Sequence, residues 1–363
     1  APAPIRGPAA RGGGRGWLSV DVTRLVRGSG VHSFALTVPT GRLLLFSREA
    51  GSAVAPRLVV DSTTAPAAAP AAPAPPQPVP TPPAPTGPPV VAAAIGDIAC
   101  APGNASLTGG GPSCRQGAIA DLVAGSGASA LLALGDNQYE RGSIEEFQGS
   151  YETAFGRFRA ITRPVPGNHE YLTPDAAGYF QYFGAAAGDP AKAYYSFELG
   201  AWHVVALNSN CARVGGCQRG SPQELWLRAD LAAHPAHCTL AYWHHPRYNS
   251  GKFGDEGDLR PIWQALVDGG AEVALAGHAH DYERFAPQDA ASGLDPARGV
   301  RQFVVGTGGA NHTPIRTIRP NSEVRNDDTF GILVLTLRPT GYDWSFVPEP
   351  GGAFADAGSD VCH

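Results

Sequence analysis

Residues 90–97 read VVAAAIGD and residues 131–139 read LLALGDNQY, each an apolar run that stops at Gly-Asp. Continuous runs of Val, Ala and Leu without alternation are the pattern of strands covered on both faces. Two further runs stop at histidine: TLAYWHH at 239–245 and VALAGHAH at 273–280. Between them, RPVPGNHE at 163–170 is a turn rich in Pro and Gly. In open α/β sheets, ligands gather just beyond the carboxyl ends of strands. Asp97, Asp136, His244 and the pair His278 and His280 follow four separate runs, so they are expected to share one sheet edge. A Gly-Asp after a strand is ordinarily turn chemistry, and a lone His-x-His is ordinarily a surface pair. Five such elements in order need a common cause.

Working outward, the same patterns predict strands at Val90–Ile95, Ala130–Leu134, Trp202–Leu207, Thr239–Trp243, Glu272–Ala276 and Gln302–Val305. Ile332–Leu337 and Tyr342–Phe346 follow without a helix between them and are expected to be antiparallel. Helices alternate with the earlier strands. Ser143 with Glu146 is a capping box before Ile144, Phe147, Tyr151, Ala154 and Phe158 at helical spacing. Ser221-Pro222-Gln223-Glu224 opens a second helix with Pro at its first position. Leu259, Ile262, Trp263, Leu266 and Val267 form a third stripe, closed by Gly269. The fold class is α/β, with mixed sheets and helices outside them.

The rest of the chain divides at residues 64–89. Pro supplies 12 of the 25 residues from Ala65 to Pro89. That composition predicts an extended polyproline linker, on the order of 75 Å long, and no packed core. Before it, residues 1–63 carry four short strand candidates: Trp17–Val22, Ser33–Val38, Leu43–Ser47 and Arg57–Asp61. Residues 90–350 form the main domain, and 351–363 a tail. The net charge of −5 argues against nucleic acid or an anionic membrane as partner. No apolar run is long enough for a transmembrane segment. The chain contains no Met and no signal-peptide pattern, and reads as a mature product or a piece of a precursor. Cys100 and Cys114 flank a Gly-rich loop, Cys211 and Cys217 bracket a short one, and Cys238 and Cys362 remain. None has zinc-site spacing; three disulfides, of open connectivity, imply an oxidising compartment and a secreted, extracellular protein.

The order D, GDxxY, GNHE, HxPxY, GHxH over residues 90–350 resembles the metallophosphoesterase (calcineurin-like) superfamily, and in detail its purple acid phosphatase branch. The resemblance implies a sandwich of two mixed sheets between helical layers. It also implies that Asp97, Asp136, Tyr139 and His280 hold Fe(III), while Asp136 bridges to a second divalent metal (Fe, Zn or Mn) on Asn168, His244 and His278. Most of the superfamily has a His two residues after the first Asp; Asp97-Ile98-Ala99 lacks it, and the hard phenolate of Tyr139 takes its place, which favours a trivalent ion. The resemblance implies that His169 stabilises the transition state or protonates the leaving group; His245, between His244 and Pro246, is a further catalytic candidate or a structural residue. Plant and animal members carry histidines in the loop after HxPxY, where this chain reads YNSGKFGDEGD, with Lys252. Gly135, Gly167 and Gly277 are expected to let the backbone turn tightly beside the metals. For Glu283 and Arg284 in HDYERF, an ion pair that braces His280 and a contact with substrate are equal readings, and His203 reads as a core histidine with a partner.

The implied activity is hydrolysis of phosphate monoesters. Phosphodiester or phospholipase-D-like hydrolysis on the same residues is the near alternative. Residues 1–63 resemble the closing strands of DNRLRE-type carbohydrate-binding modules, which would make polysaccharide or cell wall a partner. A catalytically inert glycan-binding protein is the reading from a different class.

Overall fold

The computed structural model describes residues 86–104 and 114–363. The four strand candidates of residues 1–63, the carbohydrate-binding resemblance and most of the Pro-rich segment lie outside those residues. The first sheet is built from β1 (Val90–Ile95), β2 (Ala130–Ala133), β3 (Thr162–Pro164), β11 (Gly331–Arg338), β12 (Gly341–Pro348) and β13 (Asp356–Val361). Its order is β13-β12-β11-β1-β2-β3, parallel through β1, β2 and β3 and antiparallel elsewhere. The second sheet holds β4 (Tyr195–Leu199), β5 (Trp202–Ala206), β6 (Cys238–Tyr242), β7 (Val273–Ala276), β8 (Tyr282–Phe285), β9 (Arg301–Val305) and β10 (Ser322–Asn326). Its order is β10-β8-β9-β7-β6-β5-β4, with β5, β6, β7 and β9 parallel. Residues 351–363, expected to be a tail, supply the edge strand β13, and Cys362 ties it to Cys238 at the start of β6. Cys100–Cys114 and Cys211–Cys217 complete three disulfides, and the described residues contain no free cysteine.

Alternation along the strands builds four layers. Ala92, Leu132 and Leu335 of the first sheet meet Val204, Leu240, Leu275 and Phe303 of the second in a buried centre. The opposite faces are covered by helices. On the first sheet, Ala93, Leu131 and Ala133 pack under α1 (Gln116–Gly125), the segment Ile144–Phe158 and α4 (Ala177–Phe183). On the second, Val205, Ala241 and Ala274 pack under α5 (Pro222–Ala233) and α6 (Arg260–Asp268). Runs that looked uniformly apolar are so because both faces are covered.

The capping box at Ser143 forms in full, and the helix after it runs through α2 (Ile144–Glu146), a π-widened turn at Phe147–Tyr151 and α3 (Glu152–Phe155). At Ser221 only half of the box forms. The hydroxyl accepts from the Glu224 amide at 3.4 Å, while the Glu224 carboxylate turns to the Gly220 amide and to Arg228. The resulting helix α5 delivers Asp230 to the outer face of β5.

There His203 lies enclosed, its Nδ1 2.7 Å from Glu198 and its Nε2 2.8 Å from Asp230. Burial alone would lower its pKa, but the two carboxylates outweigh burial and hold it above the ordinary 6.5. A group whose folded pKa is raised stabilises the fold below its unfolded pKa, and that contribution is lost as pH rises through the folded value. The stability difference between wild type and His203→Gln should therefore be largest near about pH 5.5 and shrink above about 6.5. Thermal unfolding across this range checks it; a difference that does not vary with pH would contradict the charged pairing.

Candidate metal centre

The polar edge belongs to both sheets, not to one as the spacing alone suggested. Asp97 follows β1 and Asp136 follows β2, whereas His244 follows β6 and His278 and His280 follow β7. The two sheets meet at this end: the Gly96 amide donates to the Val305 carbonyl at 2.8 Å, and a methyl on Gly96 would lie 3.0 Å from the Gly277 Cα. Strand ends from opposite layers are thereby brought within bonding reach of each other.

Asp97, Asp136 and His278 all take left-handed backbone conformations, with φ of 61°, 46° and 66°. Non-glycine residues adopt that region at a cost of about 1–3 kcal/mol each, and such strain gathers where function fixes a side chain. Of the three glycines expected to give tight turns, only Gly135 has a positive φ, of 86°. Gly167 and Gly277 serve close approach instead. A methyl on Gly167 would overlap the carboxylate and amide of Asp136, and one on Gly277 would lie 2.8 Å from Asp97 Oδ2. Gly167→Ala is thus expected to push Asp136 aside and weaken metal binding by about ten- to a hundredfold. Metal titration beside an unchanged far-UV circular dichroism spectrum would check it; unchanged affinity would refute the crowding argument.

Two groups of donors converge. The Tyr139 hydroxyl lies 2.9 Å from Asp97 Oδ1, 3.2 Å from Asp136 Oδ2 and 3.0 Å from His280 Nε2. His244 Nε2 lies 3.1 Å from Asn168 Oδ1 and 3.3 Å from Asp136 Oδ2. Asp136 Oδ2 is therefore the atom common to both groups. His278 completes the second, its ring centroid 5.0 Å from that of His244. Its amide donates to Asp97 Oδ2 at 2.7 Å, which links the two groups through the backbone. Donors bonded to one ion at about 2.0–2.2 Å stand about 3 Å apart along the edges of its coordination shell. The spacings here have that size, and oxygen donors with imidazoles suit iron or zinc.

Electrostatics fit a cation site. Burial would raise Asp136, yet His244 and His169 hold it well below the usual carboxylate range. Burial opposes the charge on His244, but Asp136 and Asp97 push it up to about 9. His278 goes the other way, pushed down to about 2 by burial and by His244 and His245, so its lone pair is free for a metal. Tyr139 is driven well above 10 by burial and by Asp136 and Asp97, so it ionises only against a strong positive charge.

Supports that the motifs did not disclose hold these side chains. His244 Nδ1 donates to the Leu134 carbonyl at 2.9 Å, which turns Nε2 inward. His280 is oriented by Asn311 Oδ1 at 3.1 Å from its Nδ1 and by Thr313, whose hydroxyl accepts from its amide. Glu283 and Arg284 do not brace it: Glu283 accepts from Ser250 and Ser322, and Arg284 pairs with Asp356 and Glu323 on an edge. Glu170 closes the GNHE motif. It is fully buried, and its carboxylate accepts from the amides of Asp136, Gln138 and Gly167 at 3.0, 3.1 and 2.6 Å. A carboxylate beside a ligand motif was the available signal; for Asn311 and Thr313 it was the run GTGGANHT just after β9.

A cavity of about 450 Å³ opens onto the centre, lined by Asp136, Tyr139, Asn168, His169, His278 and His280 among others. His169 borders it, with Nδ1 2.6 Å from the Glu140 carbonyl and Nε2 3.9 Å from Asp136 Oδ2. His245 stands beside the second group, with a ring nitrogen within 4.8 Å of donor atoms of His244 and His278. Its Nδ1 is 2.8 Å from the Ser209 hydroxyl, its ring is 4.4 Å from that of His278, and burial with His244 pushes its pKa down to about 3.

The chain is similar to known proteins in sequence and in fold. The chain is 25% identical over 244 residues to probable inactive purple acid phosphatase 1 of Arabidopsis thaliana, covering 57% of this chain and 39% of that protein. It is 31% identical over 155 residues to purple acid phosphatase 21 of the same plant, covering 37% and 35%. The chain thus spans about two-fifths or less of the length of these relatives. In fold it is similar to purple acid phosphatase PPD1 from yellow lupin (Lupinus luteus) seeds, with a TM-score of 0.61 at 17% identity over 75% of this chain and 53% of that one. GAP50, the anchor in the inner membrane complex of Plasmodium, has the same fold, with a TM-score of 0.55 at 12% identity over 76% of this chain and 89% of that one. The profile of the calcineurin-like phosphoesterases matches residues 92–282, the span that contains Asp97, Asp136, Tyr139, Asn168, His244, His278 and His280, and the chain belongs to that family.

Proposed function

We propose that the protein is an exported, purple-acid-phosphatase-like hydrolase that cleaves phosphate monoesters at a two-cation centre. The observation that carries this reading is Asp136 Oδ2, shared between the Tyr139 group and the His244 group. Asp97, Asp136, Tyr139 and His280 would hold Fe(III), and Asn168, His244 and His278 with Asp136 a divalent Fe, Zn or Mn. Bound there, the cations supply Lewis acidity that acidifies water and neutralises phosphoryl charge. The remaining tasks fall to the chain. His169 keeps Nδ1 on the Glu140 carbonyl and so presents Nε2 to the cavity, where a leaving oxygen would receive its proton. His245 supports His278 instead of meeting substrate. Three disulfides suit an oxidising compartment, and no helix among the described residues is long and apolar enough to cross a membrane.

Metal analysis and a visible absorption spectrum of the purified full chain, with rates on a phosphomonoester and a phosphodiester between about pH 4 and 9, test the proposal. It expects iron, colour from the Tyr139 phenolate, and faster monoester cleavage. Two zinc ions and no colour would remove iron alone; faster diester cleavage would reassign the substrate; absence of metal and turnover would end the reading.

A further inference from the structure

One part of the cavity wall is unlike the rest. Lys252 and Phe253 sit at the tip of the loop after β6, and both are exposed, Phe253 to 46%. The Phe253 ring stands 4.4 Å from that of His278, and Lys252 Nζ lies 5.2 Å from the Phe253 ring. Lys252 is the one lysine or arginine among the described residues on this wall.

The tip is held out by a pinned base. The Asn249 amide donates to Asp255 at 3.0 Å, the Gly251 amide to Asn249 Oδ1 at 2.8 Å, and the Ser250 amide to Glu283 at 2.8 Å. The Arg316 amide donates to the Ser250 carbonyl at 2.8 Å, and Gly251 packs so tightly that a methyl there would overlap the Asp281 carboxylate. An aromatic face and a cation are thus kept open to water directly beside the candidate metal ligand His278. Water is a poor partner for that face, and a flat ring is a good one: aromatic pairs gain beyond their burial alone. The cavity, at about 450 Å³, has room for a phosphate and one ring.

We propose that Lys252 and Phe253 form a leaving-group subsite for aryl phosphate monoesters, the ring lying against Phe253 and the ester's negative charge beside Lys252. This rests on the hydrolase reading above. The test uses metal-loaded full chain and three probes that cannot be hydrolysed: phenylphosphonate, methylphosphonate and inorganic phosphate, with dissociation constants from calorimetry. Wild type should prefer phenylphosphonate to methylphosphonate by about fivefold or more. Phe253→Leu, which keeps apolar bulk and so the fold, should bring the two to parity with metal content unchanged. Lys252→Gln should weaken all three probes alike by about fivefold and flatten the dependence on ionic strength. Equal binding of the two phosphonates by wild type, or a preference that survives Phe253→Leu, overturns the subsite, and hydrolysis of alkyl phosphate esters would still stand. A preference lost in Phe253→Leu in a protein that cleaves no ester supports the subsite and overturns hydrolysis. Failure to bind any of the three overturns both.

Discussion

Asp136→Asn is expected to lower kcat by about a thousandfold or more and to leave the protein with fewer than two bound metals. The charge stabilisation asked of such a centre is several kcal/mol, and about 4 kcal/mol corresponds to a thousandfold. Asn keeps the shape and still accepts from the His169 amide through Oδ1, which lies 2.9 Å away in the wild type. What it removes is the second anionic oxygen, the atom that both donor groups share. Fold loss therefore does not account for the effect, and circular dichroism should be unchanged. Metal analysis of the dialysed variant beside steady-state rates makes the measurement. Two equivalents of metal with near-normal turnover would remove Asp136 from the bridging position and with it the two-cation proposal.

Glu170→Ala should unfold at a temperature about 10 °C below wild type. Three buried amides, those of Asp136, Gln138 and Gly167, would lose their acceptor together. A buried donor left unsatisfied costs about 1–3 kcal/mol, so a non-additive total of about 4 kcal/mol is reasonable. At about 2–4 °C per kcal/mol for a domain of this size, the shift follows. Burial and the charge of Asp136 push Glu170 up to about 8, while the Gly167 and Gln138 amides pull it back. The carboxylate acts as a clamp between the GDNQY and GNHE turns, so metal affinity should fall with stability. Glu170→Gln, which retains one accepting oxygen, should show a smaller shift. Thermal unfolding with and without metal separates the effects; an unchanged midpoint in the Ala variant would mean that water replaces the clamp.

Both variants concern contacts between segments far apart in the chain, and legibility from sequence divides along that line. β1, β2, β5, β6, β7, β9, β11 and β12 were expected at nearly their observed positions because strands covered on both faces are written as apolar runs. β4, β10 and β13 lie at sheet edges and mix polar with apolar residues, so no run announces them. β3 is only three residues long, and β8 carries Glu283 and Arg284 within YERF. Two helices were announced by capping serines and α6 by its apolar stripe, whereas α1 and α4 have no side-chain cap and were not expected. For the site, apolar runs that stop at Asp or His pointed to Asp97, Asp136, His244, His278 and His280 within a few residues each, whereas Tyr139 and the part of Asn168 came from the family resemblance.

The sequence by itself determined the fold class, the residues of the polar edge and the family resemblance, because each is carried by spacing along a few adjacent residues. Only the tertiary structure decided that the edge is shared by two sheets, that Asp136 Oδ2 stands between Tyr139 and His244, and that Glu170, Asn311 and Thr313 hold the turns. It also gave Glu283 to Ser250 and Arg284 to Asp356 instead of to each other. Those facts depend on how two layers register against each other, and that register is set by the summed packing of the buried centre, to which no single motif contributes more than a few side chains.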